Sequence, residues 1–326
     1  MKIVITGGAG FLGRKLSEAL LARGTLAGLE GRGEPVTQIT CIDQLEPERP
    51  LEGVGYVRGD ICDADVLEQA IGDDTASVFH LAAVVSGQAE ADFDLGMRVN
   101  LDATRALLER CRKLPRPPRF IFASSVAAFG AAPRIVDDDT PVRPLNSYGV
   151  AKVIGEYLVG EYARRGWIDG RSFRLPTIVI RPGAPNRAAS SFASSILREP
   201  LQGRKAICPV AGDLAIWIQS PRTVIANLIA GHELPPEAWE EGLRVLNLPG
   251  LTVTVSQMVA GLERAGGDTG LISWEADAAI EAIVGAWPRG MKTARADQLG
   301  FRSDRDIDAI IRVFQEDESQ PGGGQK

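Results

Sequence analysis

Met1-Lys2-Ile3-Val4-Ile5-Thr6-Gly7-Gly8-Ala9-Gly10-Phe11-Leu12-Gly13 opens the chain and governs how the rest is read. Ile3, Val4 and Ile5 are an apolar β-branched run, the composition of a strand buried on both faces. Gly7, Gly10 and Gly13 follow at three-residue intervals, and Leu16, Ala19 and Leu20 then recur at helical spacing. A strand passing through a glycine-rich turn into a helix N-terminus is a cradle for phosphate. Backbone N–H groups can approach the anion there, and the helix dipole favours its charge. The pattern is G-x-x-G-x-x-G rather than the G-x-G-x-x-G of typical dehydrogenases. The remaining chain is therefore expected to supply the rest of a dinucleotide site and a group to react with it.

Ile39-Thr40-Cys41-Ile42-Asp43 reads as the second strand, reached through a long loop rich in glycine and charge over 23–35. An acidic side chain ending that strand accepts from the adenine-ribose 2′-hydroxyl and repels a 2′-phosphate, which predicts NAD rather than NADP. Otherwise Asp43 is a capping or solvated residue. Asp60 follows a short strand over 55–57; it either reaches the adenine edge, with Ile61 on its face, or caps a helix over 63–71. The run 77–83 is a further buried strand. Its small final residues, Ala82 and Ala83, let a ligand approach the backbone at the edge where open α/β sheets bind cofactors. His80 lies inside that run and reads as a core histidine. Helical periodicity covers 92–113, with Asn100 within it, and 120–125 is the next strand. This alternation predicts an α/β fold with a Rossmann-type, doubly wound parallel sheet.

The 326 residues carry a formal net charge of −6, which argues against nucleic acid or an anionic membrane as a partner. No apolar run approaches the roughly 20 residues that span a bilayer. A core strand beginning at Lys2 leaves no room for a signal peptide. Cys41, Cys62, Cys111 and Cys208 are scattered without a C-x-x-C pair, which predicts buried free thiols in a reducing cytoplasm. His80 and His232 are the only histidines and no zinc-like spacing occurs, so no metal site is expected.

Ser124 and Ser125 end a buried strand, and Tyr148-Gly149-Val150-Ala151-Lys152 opens a helix continued by Ile154, Tyr157, Leu158 and Tyr162. Tyr148 and Lys152, at i and i+4, share one helical face one turn apart. A free phenol has a pKa near ~10, too high for a general base at neutral pH. An adjacent ammonium and a positive nicotinamide ring both favour the phenolate, and lowering the pKa by ~3 units takes roughly 4 kcal/mol. The expectation is that Lys152 helps to activate Tyr148 while a serine hydroxyl holds the substrate oxygen.

The stretch 6–13, His80-Leu81-Ala82-Ala83, Ser124-Ser125 and Tyr148-x-x-x-Lys152, in this order, resemble the extended short-chain dehydrogenase/reductases over nearly the whole chain. The resemblance implies a catalytic set of Ser125 (counted back from Phe129-Gly130), Tyr148 as acid/base, and Lys152 on the nicotinamide ribose. It implies NAD contacts from Gly7, Gly10, Phe11, Leu12 and Gly13, and from Asp43, Asp60 and Ile61. Further contacts fall on Leu81, Ala82, Ala83, Asn100, Ser124, Tyr148, Lys152 and Pro176. A homodimer is implied too, with the helices of 92–113 and 148–165 forming a four-helix interface.

A strand and its exit over 171–183 are followed by a polar stretch, 186–196. Arginine offers a carboxylate a bidentate fork and serines satisfy sugar-like hydroxyls, so this region suits a small polyhydroxylated anion. Otherwise Ser194 and Ser195 face solvent and Arg174 or Arg181 makes a structural pair. Arg174-Leu175-Pro176-Thr177, Arg181-Pro182-Gly183, Arg198-Glu199-Pro200-Leu201 and the segments 189–194 and 217–222 are similar to one branch of the family. That branch uses NAD to oxidise the four-carbon aldonate D-erythronate at its C2 hydroxyl; Ala184 stands where a basic residue is expected. The implied substrate contacts are Ser86, Ser125, Tyr148, Thr177, Arg181, Asn186, Ser190 and Ser191. The rival readings are a nucleotide-sugar 4-epimerase with tightly held NAD, and an NAD-binding protein without activity.

Later segments read as a helix over 217–234, a strand over 243–248, and helices over 255–265, 277–287 and 304–314. The expected organisation is a cofactor domain over 1–182, with returning segments near 215–250. An interleaved substrate lobe would cover 183–317 and a disordered tail 318–326.

Overall fold

The Ile3–Ile5 run forms the middle of β1 (Lys2–Thr6), and all three side chains are 0% exposed. Burying each such side chain contributes roughly 1.5–3 kcal/mol, which places the run inside a sheet rather than at its edge. The computed structural model describes residues 1–130, 133–239 and 244–319. After α1 (Phe11–Arg23) come β2 (Gln38–Asp43), β3 (Val54–Arg58), α2 (Ala64–Ala70), β4 (Thr75–His80), α3 (Phe93–Met97) and α4 (Ala103–Arg112). β5 (Arg119–Ser125), α5 (Ser147–Arg164) and β6 (Asp169–Leu175) complete the first half. The second half contains β7 (Thr177–Ile178), α6 (Ser191–Leu201), β8 (Ala215–Gln219), α7 (Pro221–Glu233), β9 (Val245–Asn247), β10 (Leu251–Thr254), α8 (Val255–Arg264) and α9 (Ile307–Ser319).

The main sheet has the order β3-β2-β1-β4-β5-β6-β9, and each of its strand pairs is parallel. This is the doubly wound Rossmann arrangement expected from the sequence. The chain reverses its direction of travel across the sheet between β1 and β4, and the crevice at that switch point is where such sheets bind ligands.

Beyond β6 the chain alternates between two layers. β7, β8 and β10 form a separate three-stranded sheet, whose core joins α6, α8 and α9 through Ile196, Ile218, Met258 and Ile311. α7 and β9 return to the main sheet, where Val224, Leu228 and Leu246 pack with Ile3, Leu16 and Leu20.

Several segments differ from the sequence expectation. The 217–234 stretch is strand through Gln219 and becomes helix only at Pro221, because the Ser220 side chain caps α7 and Pro221 takes a first-turn position. The expected helix of 92–113 is interrupted by a π-helical turn, Arg98–Asp102, which carries Asn100. Inside the long first loop, Thr25–Ala27 and Gly33–Pro35 pair as an antiparallel hairpin. The last helix starts at Ile307 and runs through Ser319, so Glu318 and Ser319 are helical rather than part of a disordered tail. Residues 320–326, and Leu243 of the expected strand, lie outside the described residues. Cys41, Cys111 and Cys208 are buried free thiols, whereas Cys62 is partly exposed. No described helix is long and apolar enough to cross a membrane.

Candidate active site

A cleft of about 630 Å3 runs along the carboxyl ends of the central strands, between Gly7 after β1, Leu81–Val84 after β4, Ser124 and Ser125 of β5, and Pro176 after β6. Gly7 has a φ of +71°, a left-handed conformation that turns the chain out of β1. Gly13 sits where a Cβ would stand 2.3 Å from the Gly7 carbonyl oxygen and 2.6 Å from Gly8 Cα, so only glycine lets α1 pack this close to the loop. No side chain among the described residues caps α1 at Gly10, and its first turn holds no acid. The free N–H groups of that turn face the cleft with Phe11, Leu12 and Gly13. An uncapped helix end above a glycine-only approach fits a pyrophosphate.

Asp43 ends β2 on the cleft wall, where its carboxylate accepts from the Ala9 N–H (3.1 Å) and the Leu45 N–H (3.1 Å). It thereby ties the strand to the glycine loop. Ile61, Leu81, Ala82 and Ala83 line the same cleft. Asp60 does not. Its carboxylate accepts from the Cys62 N–H and pairs with Arg98 at 2.6 Å; these partners outweigh burial and hold it below the usual carboxylate range. The cap of α2 is Asp63, not Asp60. Asn100 also stays behind the wall. Its amide brackets Val84, accepting from the N–H at 2.8 Å and donating to the carbonyl at 2.9 Å.

Ser125, Tyr148 and Lys152 meet in the cleft. β5 delivers Ser125, and α5 delivers the other two, with Asn146 capping its first turn through Gly149 N–H (2.7 Å). Lys152 Nζ donates to the Ala123 carbonyl (2.8 Å), 4.8 Å from the Phe122 ring centroid and 5.5 Å from that of Tyr148. Burial pulls its pKa down to about 8, with Glu156 opposing. Burial pushes the Tyr148 phenol up to about 12, and the groups that pull it back are Ser125 and Arg181. The expected depression by Lys152 is therefore corrected: in the free chain Tyr148 is a neutral phenol, because desolvation outweighs its neighbours.

Behind Lys152 lies a buried polar network that the sequence reading missed. Glu156, 0% exposed, accepts from Arg174 at 2.9 and 2.7 Å and from Ser124 Oγ at 2.5 Å. Its i+4 spacing from Lys152 was the available signal. Arg174 is thus a structural pair. His80 is likewise structural, held by Thr6 (2.7 Å) and Thr104 (2.9 Å), and burial lowers its pKa to about 3.

Ser86, Thr177, Arg181 and Ser190 also line the cleft, together with Trp287 and with Gln88, which sequence reasoning did not single out. Ser86 Oγ accepts from the Ala189 N–H (3.3 Å). Asn186 and Ser191 do not line the cleft; the Asn186 side chain accepts from Ala188 N–H, and Ser191 Oγ accepts from Asn186 N–H, each at 3.1 Å. Ser194 and Ser195 are buried rather than facing solvent. The Arg181 guanidinium lies 4.9 Å from the Phe11 ring centroid and meets no carboxylate among the described residues. Burial, then the nearby Arg198 charge, lower its pKa.

A second groove, of about 490 Å3, lies between α1, α7 and the end of α9. Its cations Lys15, Arg23 and Arg222 are all paired with carboxylates, and none of the chemistry above lies in it. Among the described residues no cluster of three or more metal-ligating side chains occurs.

Comparison with known proteins matches residues 3–217 to the NAD dependent epimerase/dehydratase family. The D-erythronate dehydrogenase of Cupriavidus necator is 53% identical over 321 residues, covering 97% of this chain and 98% of the relative. That of Haemophilus influenzae is 42% identical over 322 residues, covering 96% and 98%. Among solved structures, a nucleoside-diphosphate-sugar epimerase from Agrobacterium tumefaciens superimposes with a TM-score of 0.88 at 41% identity, covering 100% of this chain and 96% of its own. With its sheet, its glycine turn and its serine, tyrosine and lysine, the chain belongs to the NAD dependent epimerase/dehydratase family.

Proposed function

We propose that the protein is an NAD-dependent sugar-acid dehydrogenase that oxidises D-erythronate at its C2 hydroxyl to 2-dehydro-D-erythronate. The observation that carries this reading is Arg181, a part-buried cation without a described carboxylate partner, in the same cleft as Tyr148 and Ser125. A desolvated guanidinium that meets no carboxylate among the described residues favours a ligand carboxylate, which it grips through a bidentate fork. Full-length similarity to two D-erythronate dehydrogenases supports the same choice.

NAD, when bound, supplies the hydride acceptor and a positive ring. Gly7, Gly10, Phe11, Leu12 and Gly13 would hold its pyrophosphate, and Asp43 its adenine ribose. Lys152 would hold the nicotinamide ribose. Ser125 orients the C2 hydroxyl, and Tyr148 takes its proton as the carbon loses hydride. A phenol at about 12 needs roughly 7 kcal/mol of further stabilisation to be half ionised at pH 7. Tyr148 can accept the hydroxyl proton only as the phenolate, so its own proton must first leave to solvent, and the positive ring, when bound, would favour that form.

We further propose a cytoplasmic homodimer. Its interface would be the face of α5 bearing Val150 and Tyr157, 38% and 58% exposed, beside Phe93 of α3, 58% exposed. The free cysteines suit a reducing compartment.

The test is a spectrophotometric screen of the purified protein with NAD or NADP against four- to six-carbon aldonates, uronates and UDP-sugars. NADH accumulating with D-erythronate is the expected result. The epimerase-named structural relative favours the second reading, a nucleotide-sugar 4-epimerase. Interconversion of UDP-hexoses without net NADH would establish it and overturn the first.

A further inference from the structure

Arg181 projects from an irregular segment after β7, and such a segment does not by itself fix a long side chain. α6 supplies what fixes it. Ser194 Oγ accepts from the Arg181 N–H at 3.1 Å, and Arg198 Nη1 donates to the Arg181 carbonyl at 2.6 Å. Both anchors are 2% exposed. They lie four residues apart, on one face of the helix.

Arg198 is itself held in place. Its Nε and Nη2 donate to Glu199 Oε1 at 2.9 and 2.6 Å, and Nη2 also reaches Ser195 Oγ at 3.3 Å. Glu199 in turn pairs with Arg204 at 2.6 Å. The Arg198 guanidinium is therefore committed on both edges to protein groups and is not presented to a ligand. Burying so many charges on one helix is costly unless each is paired, and here the pairing converges on the main chain of a single residue.

We propose that Arg198 is a positioning residue for the substrate carboxylate: with Ser194 it clamps the Arg181 backbone so that the Arg181 guanidinium is preorganised for an anionic substrate. The inference rests on the sugar-acid reading of the cleft and adds how that anion is selected. Arg198 acts through Arg181 and touches neither cofactor nor substrate. Loosening the clamp leaves Ser125 and Lys152 in place on β5 and α5, and reaches Tyr148 only through the Arg181 charge. Preorganisation contributes to affinity by lowering the ordering cost of binding, so its loss appears in KM before kcat.

The experiment compares wild type with Arg181→Met, Arg198→Met, Arg198→Lys and Ser194→Ala. NAD affinity is measured by calorimetry and steady-state kinetics with D-erythronate. For Arg198→Met, KM should rise about tenfold with kcat within about threefold of wild type and NAD affinity unchanged. Arg198→Lys, which keeps one donor and the charge, should recover part of the loss, and Ser194→Ala should raise KM in the same sense. Should Arg198→Met fail to fold, the lysine and alanine variants decide the matter. Unchanged KM in the folded Arg198 and Ser194 variants, while Arg181→Met raises it, overturns the clamp and leaves the sugar-acid reading standing. A kcat loss equal to the KM effect, unrelieved by lysine, also overturns it, as a merely structural role. Absence of D-erythronate turnover in wild type, or no KM effect in Arg181→Met, defeats the underlying reading instead.

Discussion

Replacing Lys152 by methionine tests the electrostatics of the cleft directly. The side chain is 2% exposed, and burial moves its pKa from the ordinary 10.5 to about 8. With the folded value below the unfolded one, the unfolded chain binds more protons between about pH 8 and 10.5. Stability from this site therefore rises with pH across that window. Below pH 8 the folded chain carries the full cost of the buried charge. At about 1.4 kcal/mol per pH unit, that is roughly 3 kcal/mol relative to a neutral lysine. Methionine has a similar stem and no charge, but it leaves the Ala123 carbonyl without its 2.8 Å donor, a loss of about 1 kcal/mol. Glu156 keeps its two bonds from Arg174. Cofactor-free K152M should thus be more stable than wild type at pH 7 by roughly 2 kcal/mol, with the gap closing and then reversing as pH approaches 10. It should have no dehydrogenase activity, stability and function being traded at this site. Urea unfolding of both proteins from pH 7 to 10 measures this, and the difference between them cancels titrations they share. A variant less stable at pH 7, or a gap that does not change with pH, would refute the reasoning.

Tyr148→Phe should bind NAD as wild type does by calorimetry and lose about 10²–10⁴ in kcat, the usual worth of a positioned acid/base; activity within tenfold of wild type would remove that role. Gly13→Ala places a Cβ 2.3 Å from the Gly7 oxygen, and overpacking of this kind costs about 1–3 kcal/mol. The expected outcome is a lowered melting temperature with loss of NAD binding, and unimpaired binding would show that the turn is not the cofactor cradle. Wild type should scatter light as a dimer, and Val150→Glu combined with Tyr157→Glu should yield a single-chain mass. A wild-type mass of one chain would dispose of the interface.

Much of the architecture was legible in the linear order of residues because it rests on local rules. The Ile3–Ile5 run, the glycine turn and the helix behind it specify a βα unit through burial, φ freedom and steric approach. The Tyr148 and Lys152 pairing follows from helical spacing alone, as does the alternation that yields a parallel sheet. What sequence could not settle are properties that depend on who is packed against whom. Arg174 and Arg181 look alike as residues in neighbouring segments, yet the fold buries a carboxylate against the first and, among the described residues, sets none against the second. Tyr148 was expected to be acidified by Lys152, but desolvation, which only the packed cleft sets, dominates both groups. Asp60 and Asn100 sit among the cofactor motifs and turn away from the cleft, satisfied by Arg98 and by Val84. Periodicity and turn chemistry act over a few residues; solvent exclusion and charge pairing act across the whole molecule, so they were decided only when α5, α6 and the central strands came together.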